Sequence, residues 1–259
     1  MIALAQNRPL RTIAPALLAI LVVATWQIAV VGFNVPRIVL PAPSDIVLAA
    51  LKDAFELDQD WRQTILRGAL PGYLAGNLLG LLTALAVDRS AFLRRGVLPL
   101  SVLFSAMPII GVAPIMVMWF GFDWQSKAAV VALMTFFPML ANAGVGLRAA
   151  SPVELDLLRS YGASYGQTLW RLRLPAMLPH IFAALKLNAP AAVIGAMIAE
   201  FFGTPTFGLG FRISAEVGRL GFDVVWAAIL VATLSASALY GLIVLLERRL
   251  TFWHPSLRH

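Results

Sequence analysis

Apolar residues along this chain gather into runs separated by short stretches in which prolines, glycines and charges cluster. The runs are close to the ~20 residues an α-helix needs to cross ~30 Å of hydrocarbon. Six are predicted as membrane-crossing helices: Ile13–Phe33, Gly68–Val87, Val97–Phe120, Ala128–Leu147, Ile181–Phe202 and Val224–Leu246. The second and fourth are the shortest. The alternating pattern of a membrane β-strand is absent. Each backbone amide in lipid must find its partner inside its own segment, so an all-α bundle follows, with residues 1–259 read as one transmembrane domain.

Two polar stretches break the rhythm. After the first run, Pro41 and Pro43 stop the chain, Ser44 is placed to cap a new helix and Asp45 suits its positive end. The segment Ile46–Leu57 then reads as a short helix lying at the membrane surface, with Trp61 as an anchor. The larger interruption is 148–180. Ser151-Pro152 supplies a cap and a first-turn proline, Gly162 suits a left-handed closing residue, and Ala163-Ser164 can open a second helix. Pro175 and Pro179 are expected to end that helix before the fifth span. The prediction is two short helices around a glycine elbow, with Leu155, Leu158, Leu169, Trp170 and Leu172 available for burial. Spans are ordinarily joined by short loops, so an insertion of this size points to a partner protein on its side of the membrane.

Composition sharpens the class. With 60% hydrophobic and 13% charged residues and a mean hydropathy of +0.83, the chain has too few charges to solvate a globule and reads as an integral membrane protein. Cysteine is absent, which excludes disulfides, thiolate metal sites and cysteine nucleophiles. The net charge of +7 is sorted by membrane side rather than gathered into a nucleic-acid patch. Thirteen of the 20 Lys and Arg residues, Arg258 among them, fall on the side of the N-terminus, the loop Asp88–Arg95 and the 148–180 insertion. The positive-inside rule therefore puts both termini and the insertion in the cytoplasm. Arg8 and Arg11 precede a first run longer than a signal-peptide core, so that run is expected to be retained.

Inside the spans, Gly68, Gly72, Gly76 and Gly80 recur every fourth residue and form a stripe that lets another backbone approach, within a subunit or between subunits. The third span carries Pro99, Pro108, Gly111 and Pro114, and is expected to bend or unwind, lining a solute path or packing as a kinked helix. Met107, Pro108, Gly111, Pro114, Asn142 and Asn188 are the candidate path residues. Asn77, Asn142, Asn188, Gln27 and Thr135 are also read as hydrogen-bond partners between helices. Ionisable residues deep in the spans are nearly missing: Lys186 can snorkel to one surface and Glu200 lies near the other. His180, His254 and His259 have no companions at ligand spacing, and no phosphate-cradling G-x-x-x-x-G-K-[ST] loop occurs. Gly203, Gly208 and Gly210 read as loop turns.

The spacing Asp156-Leu157-Leu158-x3-Gly162-x9-Leu172-x-Leu174-Pro175 resembles the E-A-A-x3-G-x9-I-x-L-P motif of the transmembrane permease subunits of ABC importers. Leu40-Pro-Ala-Pro-Ser44, Trp119-Phe-Gly-Phe122 and Ala199-Glu-Phe-Phe-Gly203 extend the likeness to the nitrate, taurine and sulfonate branch, with its pyrimidine and riboflavin relatives. Two departures stand out: Asp156 replaces the usual Glu, and bulkier Leu157-Leu158 replace paired alanines, which implies a wider contact. The resemblance implies a type I importer fold in a bacterial inner membrane and two permease copies, as a homodimer. It also implies two cytoplasmic ATPase subunits and a soluble binding protein outside. ATP and Mg would bind the ATPase, with no cofactor in this chain. Asp156, Leu157, Leu158, Gly162, Ala163, Ser164, Leu174 and Pro175 would couple to that engine.

Two other classes compete. An ion-coupled secondary transporter would need midplane carboxylates on repeated broken helices, and neither a carboxylate pair nor a duplication is visible. An intramembrane enzyme would need a base beside Ser101, Ser105, Ser235 or Ser237, and none sits at mid-span. For an importer the cargo leans toward a small planar or anionic nutrient.

Overall fold

The computed structural model describes residues 8–203 and 206–251; His254, Arg258 and His259 lie outside them. The described chain is entirely helical between its turns. Helix α1 is Arg8–Gly32, α2 Pro43–Lys52, α3 Ala54–Arg89, α4 Ala91–Ser105 and α5 Ile109–Phe120. Then follow α6 Trp124–Gly146, α7 Pro152–Ser160, α8 Tyr165–Gly203, α9 Leu209–Gly218 and α10 Phe222–Leu250. Five of these (α1, α3, α6, α8 and α10) are long and apolar enough to cross a bilayer, and the pair α4–α5 makes a sixth span broken by 105°.

That break confirms the bend expected of the third span. Pro108 has no amide to donate and sits in extended geometry as the cap of α5, so the helix stops at Ser105 and restarts at Ile109.

The second and fifth spans are longer than the apolar pattern predicted, and both run through a π-helical stretch. Helix α3 runs on from Ala54 through a π-helical stretch, Arg62–Ala69, and passes Pro71; α8 runs from Tyr165 through a π-helical stretch, Leu169–Arg173, and passes Pro175 and Pro179. A proline collides with the carbonyl four residues back, and a widened turn just before it removes the collision. Pro175 and Pro179 therefore do not end the second helix of the insertion, which continues into the fifth span. At ~1.5 Å per residue, 36 residues of α3 and 39 of α8 reach well beyond the hydrocarbon, to about 54 and 58 Å. With 23 residues in α6, neither the second nor the fourth span is short.

The glycine stripe packs within the chain. A Cβ at Gly72 would collide with the Ala128 carbonyl and Val131, at Gly76 with the Ala132 carbonyl and Thr135, and at Gly80 with the Phe136 carbonyl. Backbone thus meets backbone along α3 and α6, the closest helix pair of the bundle. Helix α8 lies against both through Ala189, Ala192 and Ala196, and α10 closes the other side of α8 with Ala227, Ala228 and Ala232.

Helix α1 is peripheral. From Ile13 on most of its apolar side chains are exposed, Val30 is buried, and it touches the rest through Trp26 on Trp226, centroids 5.3 Å apart, and Gln27 on Ser44. Ser44 does not cap α2: Ala42 holds the cap position and the Gln27 side chain accepts the Ser44 amide at 3.1 Å. Helix α2 starts at Pro43 and stops at Lys52, so the expected surface helix Ile46–Leu57 is divided at Asp53. Trp61 donates its indole N–H to Ser235 on α10 at 2.8 Å, a contact inside the bundle rather than a surface anchor.

Candidate functional site

The bundle has two ends of different chemistry. At the basic end, Ser151 and Glu154 close a capping box on α7, with Pro152 in its first turn. Gly162 has φ +69°, the left-handed value its position after the helix called for, and Ser164 caps α8 through the Gln167 amide. Helix α7 buries none of its residues, and Val153, Leu157 and Tyr161 form one exposed stripe at i, i+4, i+8, with Leu157 55% and Tyr161 79% accessible. Trp170 is also exposed rather than packed, while Leu169 and Leu174 pack on the core beneath. Asp156 pairs only with Arg159 on the same helix, in full solvent.

The elbow is fixed to the bundle by one carboxylate. Asp88, near the end of α3, accepts the Tyr165 hydroxyl at 2.8 Å and the Arg173 guanidinium at 2.8 Å. Arg89 lies over the Tyr165 ring at 5.3 Å. Burial, then the bond to Asp88, pushes the Tyr165 hydroxyl above its ordinary value, so it stays a donor at neutral pH. Gly146 lets Met177 and His180 close against the end of α6.

Between the broken span α4–α5 and α6 lies a cavity of about 450 Å³ lined by Ser101, Phe104, Ser105, Met107, Met134 and Phe137 among others, none of them charged. Phe104 and Phe137 present nearly parallel rings, centroids 6.3 Å apart. Of the six candidate path residues, Met107 lines this space and Pro108 sets the break beside it. Gly111 and Pro114 lie on the outer face of α5. Asn142 donates to the Pro138 carbonyl of its own helix at 2.8 Å. Asn188 is fully buried, donating to Asn77 at 2.7 Å and to the Thr135 carbonyl at 2.8 Å, which joins α3, α6 and α8.

At the opposite end is a buried polar knot that the sequence did not reveal. The first amides of α9 are capped by side chains of other helices. Gly208 donates to Asp60 at 2.7 Å, Leu209 to Thr64 at 2.8 Å and Gly210 to Glu200 at 2.8 Å. Thr64 in turn donates to Glu200 at 2.7 Å, and Arg212 pairs with Asp60 at 2.7 Å. Lys127 donates to the carbonyls of Phe122 and Gly203. Asp60, Thr64, Lys127 and Glu200 are all at most 1% accessible, so Glu200, in the last turn of α8, is enclosed by protein. Gly208 to Gly210 begin a helix, where a loop was expected. Lys186 pairs with Glu247, in the last turn of α10, at 2.8 Å. The one sequence cue to the knot was Glu200 in an apolar neighbourhood, since Asp60 and Lys127 sit among polar residues.

Among the described residues no group of three or more His, Asp or Glu could hold a metal ion. The fold is that of a multi-pass membrane protein with an exposed helical elbow at one end. Residues 76–252 match the model of the binding-protein-dependent transport system inner membrane component family, and the chain belongs to it. It is 31% identical to a probable ABC transporter permease protein of Haemophilus influenzae, over 89% of this chain and 94% of that one. It is 30% identical to the formylaminopyrimidine transport permease protein ThiX of Halalkalibacterium halodurans, over 97% and 100%. It is also 30% identical to the taurine transport system permease protein TauC of Escherichia coli, over 95% and 91%. The chain is thus a membrane permease subunit of an ABC-type transporter.

Proposed function

We propose that the chain is the translocating subunit of a bacterial inner-membrane importer, with its basic end and both termini in the cytoplasm. Two copies would form the path, two ATPase subunits would dock on the 148–180 elbow, and a soluble binding protein would deliver solute at the end where α9 lies. The observation that carries this reading is helix α7. It is a capped, rigid helix with an apolar stripe and no intrachain cover, joined to the bundle by a left-handed glycine. A stripe of that kind needs a partner surface.

In this reading Asp156, Leu157, Leu158, Gly162, Ala163 and Ser164 meet the ATPase, and Leu174 and Pro175 hold the second arm of the elbow. Closure of the ATPase pair on ATP and Mg moves α7, and the Asp88 junction passes that movement to α3. Met107 and the break at Pro108 shape the solute cavity. The relatives named above carry substrates of two kinds, a pyrimidine derivative and a sulfonate. The cavity's uncharged lining with two flanking rings favours a small planar solute over an anion, because an unpaired anion in an apolar wall is strongly penalised.

The test is co-purification and transport. The chain expressed with its adjacent ATPase and binding protein should yield a complex that hydrolyses ATP faster when loaded binding protein is added. It should accumulate an aminopyrimidine in proteoliposomes in preference to taurine. A complex without an ATPase subunit overturns the importer reading, and preferential taurine uptake overturns the substrate class.

A further inference from the structure

A second cavity, of about 210 Å³, opens where α3 and α6 both end, at the basic face of the bundle. Its polar lining is Asp88, Arg94, Arg148 and Arg173, over an apolar floor from Ala84, Val87 and Leu140. Three guanidiniums face one carboxylate, and that carboxylate is already engaged by Tyr165 and Arg173. Arg94 reaches only the Asp88 carbonyl, at 3.3 Å, and Arg148 makes no ion pair among the described residues. The Nε–H of Arg173 is buried there without a hydrogen-bond partner. Cationic donors thus outnumber acceptors in a space that exceeds several water volumes, at ~30 Å³ each.

We propose that this cavity binds the phosphate of an anionic lipid headgroup. Arg94 and Arg148 would close over it, as arginines do on phosphate oxygens, with the Arg173 guanidinium adding its charge from the cavity wall. The position favours a lipid source. Two membrane spans terminate at the cavity, so its mouth lies at headgroup depth, and basic pockets between span ends are where headgroups are held. The apolar floor suits the glycerol and upper acyl carbons. The carbonyl ends of α3 and α6 oppose an anion, and the three arginines outweigh them. Bound there, the phosphate would sit on Arg173, the residue that ties the elbow to α3, and so would stiffen the junction the importer reading uses. The site assignment itself rests only on the basic end facing the anionic leaflet.

The test is lipid retention by the intact permease, isolated from nanodiscs of phosphatidylcholine mixed equally with phosphatidylglycerol and read by native mass spectrometry. Wild type should retain phosphatidylglycerol. The R94Q/R148Q variant should lose it by roughly thirtyfold in affinity, from about fivefold per arginine near a membrane surface. R248Q/R249Q, which removes the same charge from the last turn of α10, should retain it. Equal loss in both variants overturns the site in favour of general surface charge. Equal retention in all three overturns it outright. Displacement of the lipid by millimolar inorganic phosphate in the wild type would overturn the lipid source. Because the readout needs no ATPase, failure of this site and failure of the importer reading are separate results.

Discussion

The carboxylate of Glu200, in the last turn of α8, accepts the amide of Gly210, in the first turn of α9, at 2.8 Å. A side chain thus ties the end of α8 to the start of α9. Gly208 at φ +142° brings the backbone so close that a Cβ there would collide with the Glu200 carboxylate. Asp60 and Thr64, from α3, complete the cap. The positive end of α9 thus rests on two buried carboxylates, which is where a helix dipole favours negative charge.

Removing the Glu200 carboxylate should leave the Thr64 hydroxyl and the Gly210 amide buried without acceptors. Hydrogen bonds to charged groups contribute about 1.5–3 kcal/mol each, so Glu200→Ala should cost about 3 kcal/mol or more. Thermal unfolding of the detergent-purified chain should show a clearly lowered midpoint. Asp58→Asn, which breaks an exposed pair with Arg62, should hardly move it. Equal midpoints for wild type and Glu200→Ala would mean the knot does not form.

The glycine stripe makes a second prediction about folding. At Gly76 the obstacle is the backbone of Ala132, which cannot swing aside, so Gly76→Ala must push α3 away from α6. Overpacking of this kind costs about 1–3 kcal/mol. Gly96→Ala, with open space around it, is the matched control and should unfold like wild type. If both behave alike, the seam does not hold the pair together.

Asn188 offers a test of bracing against conduction. Its amide joins Asn77 to the Thr135 carbonyl in a fully buried position. Hydrogen bonds between membrane helices are worth about 0.6–1.7 kcal/mol, so Asn188→Ala should lose about 1 kcal/mol of stability. The KM for uptake should stay as it was. A raised KM with unchanged stability would return Asn188 to the solute path.

The spans and the elbow were legible because each is written locally: a run of apolar residues, a Ser-Pro cap, a glycine after the last periodic residue. The second helix of the insertion was misread because Pro175 and Pro179 carry a local stop signal; a preceding π-turn relieves Pro175, and such a turn has no distinctive residue pattern. The knot escaped because its parts are separated by as many as 152 positions, as between Asp60 and Arg212. Asp60 looked like one of several outer acids, and nothing in its own neighbourhood distinguishes it from Asp58.

In the proposed coupling mechanism, Gly162 matters for its backbone alone. Nothing lies within 4 Å of where a Cβ would stand, so a side chain meets no clash, and the cost of Gly162→Val is the left-handed φ, about 1–2 kcal/mol or more for a β-branched residue. The elbow should relax to another angle. In the assembled complex, ATPase activity should lose its response to loaded binding protein while the amount of inserted permease stays constant. Gly162→Asn, which tolerates that region, should keep most of the response. An unchanged response in Gly162→Val would sink the elbow as a transmitting element.

In the same proposed mechanism Asp88 passes the elbow's movement to the second span, and its role can be separated from that of Gly162. One oxygen, Oδ2, takes both the Tyr165 hydroxyl and the Arg173 guanidinium, so Asp88→Asn keeps the shape and removes the charge that holds two donors on one atom. The ion pair is only partly exposed, with Arg173 at 22% and Asp88 at 16%, so its loss should loosen the junction without unfolding the bundle. Docking of the ATPase on α7 does not depend on Asp88, so ATP should still be hydrolysed. The expected result is hydrolysis with uptake reduced about tenfold, the signature of a push that no longer reaches the spans. Tyr165→Phe removes one of the two donors and should fall between wild type and Asp88→Asn. Should Asp88→Asn lower hydrolysis and uptake by the same factor, the junction serves assembly and not transmission.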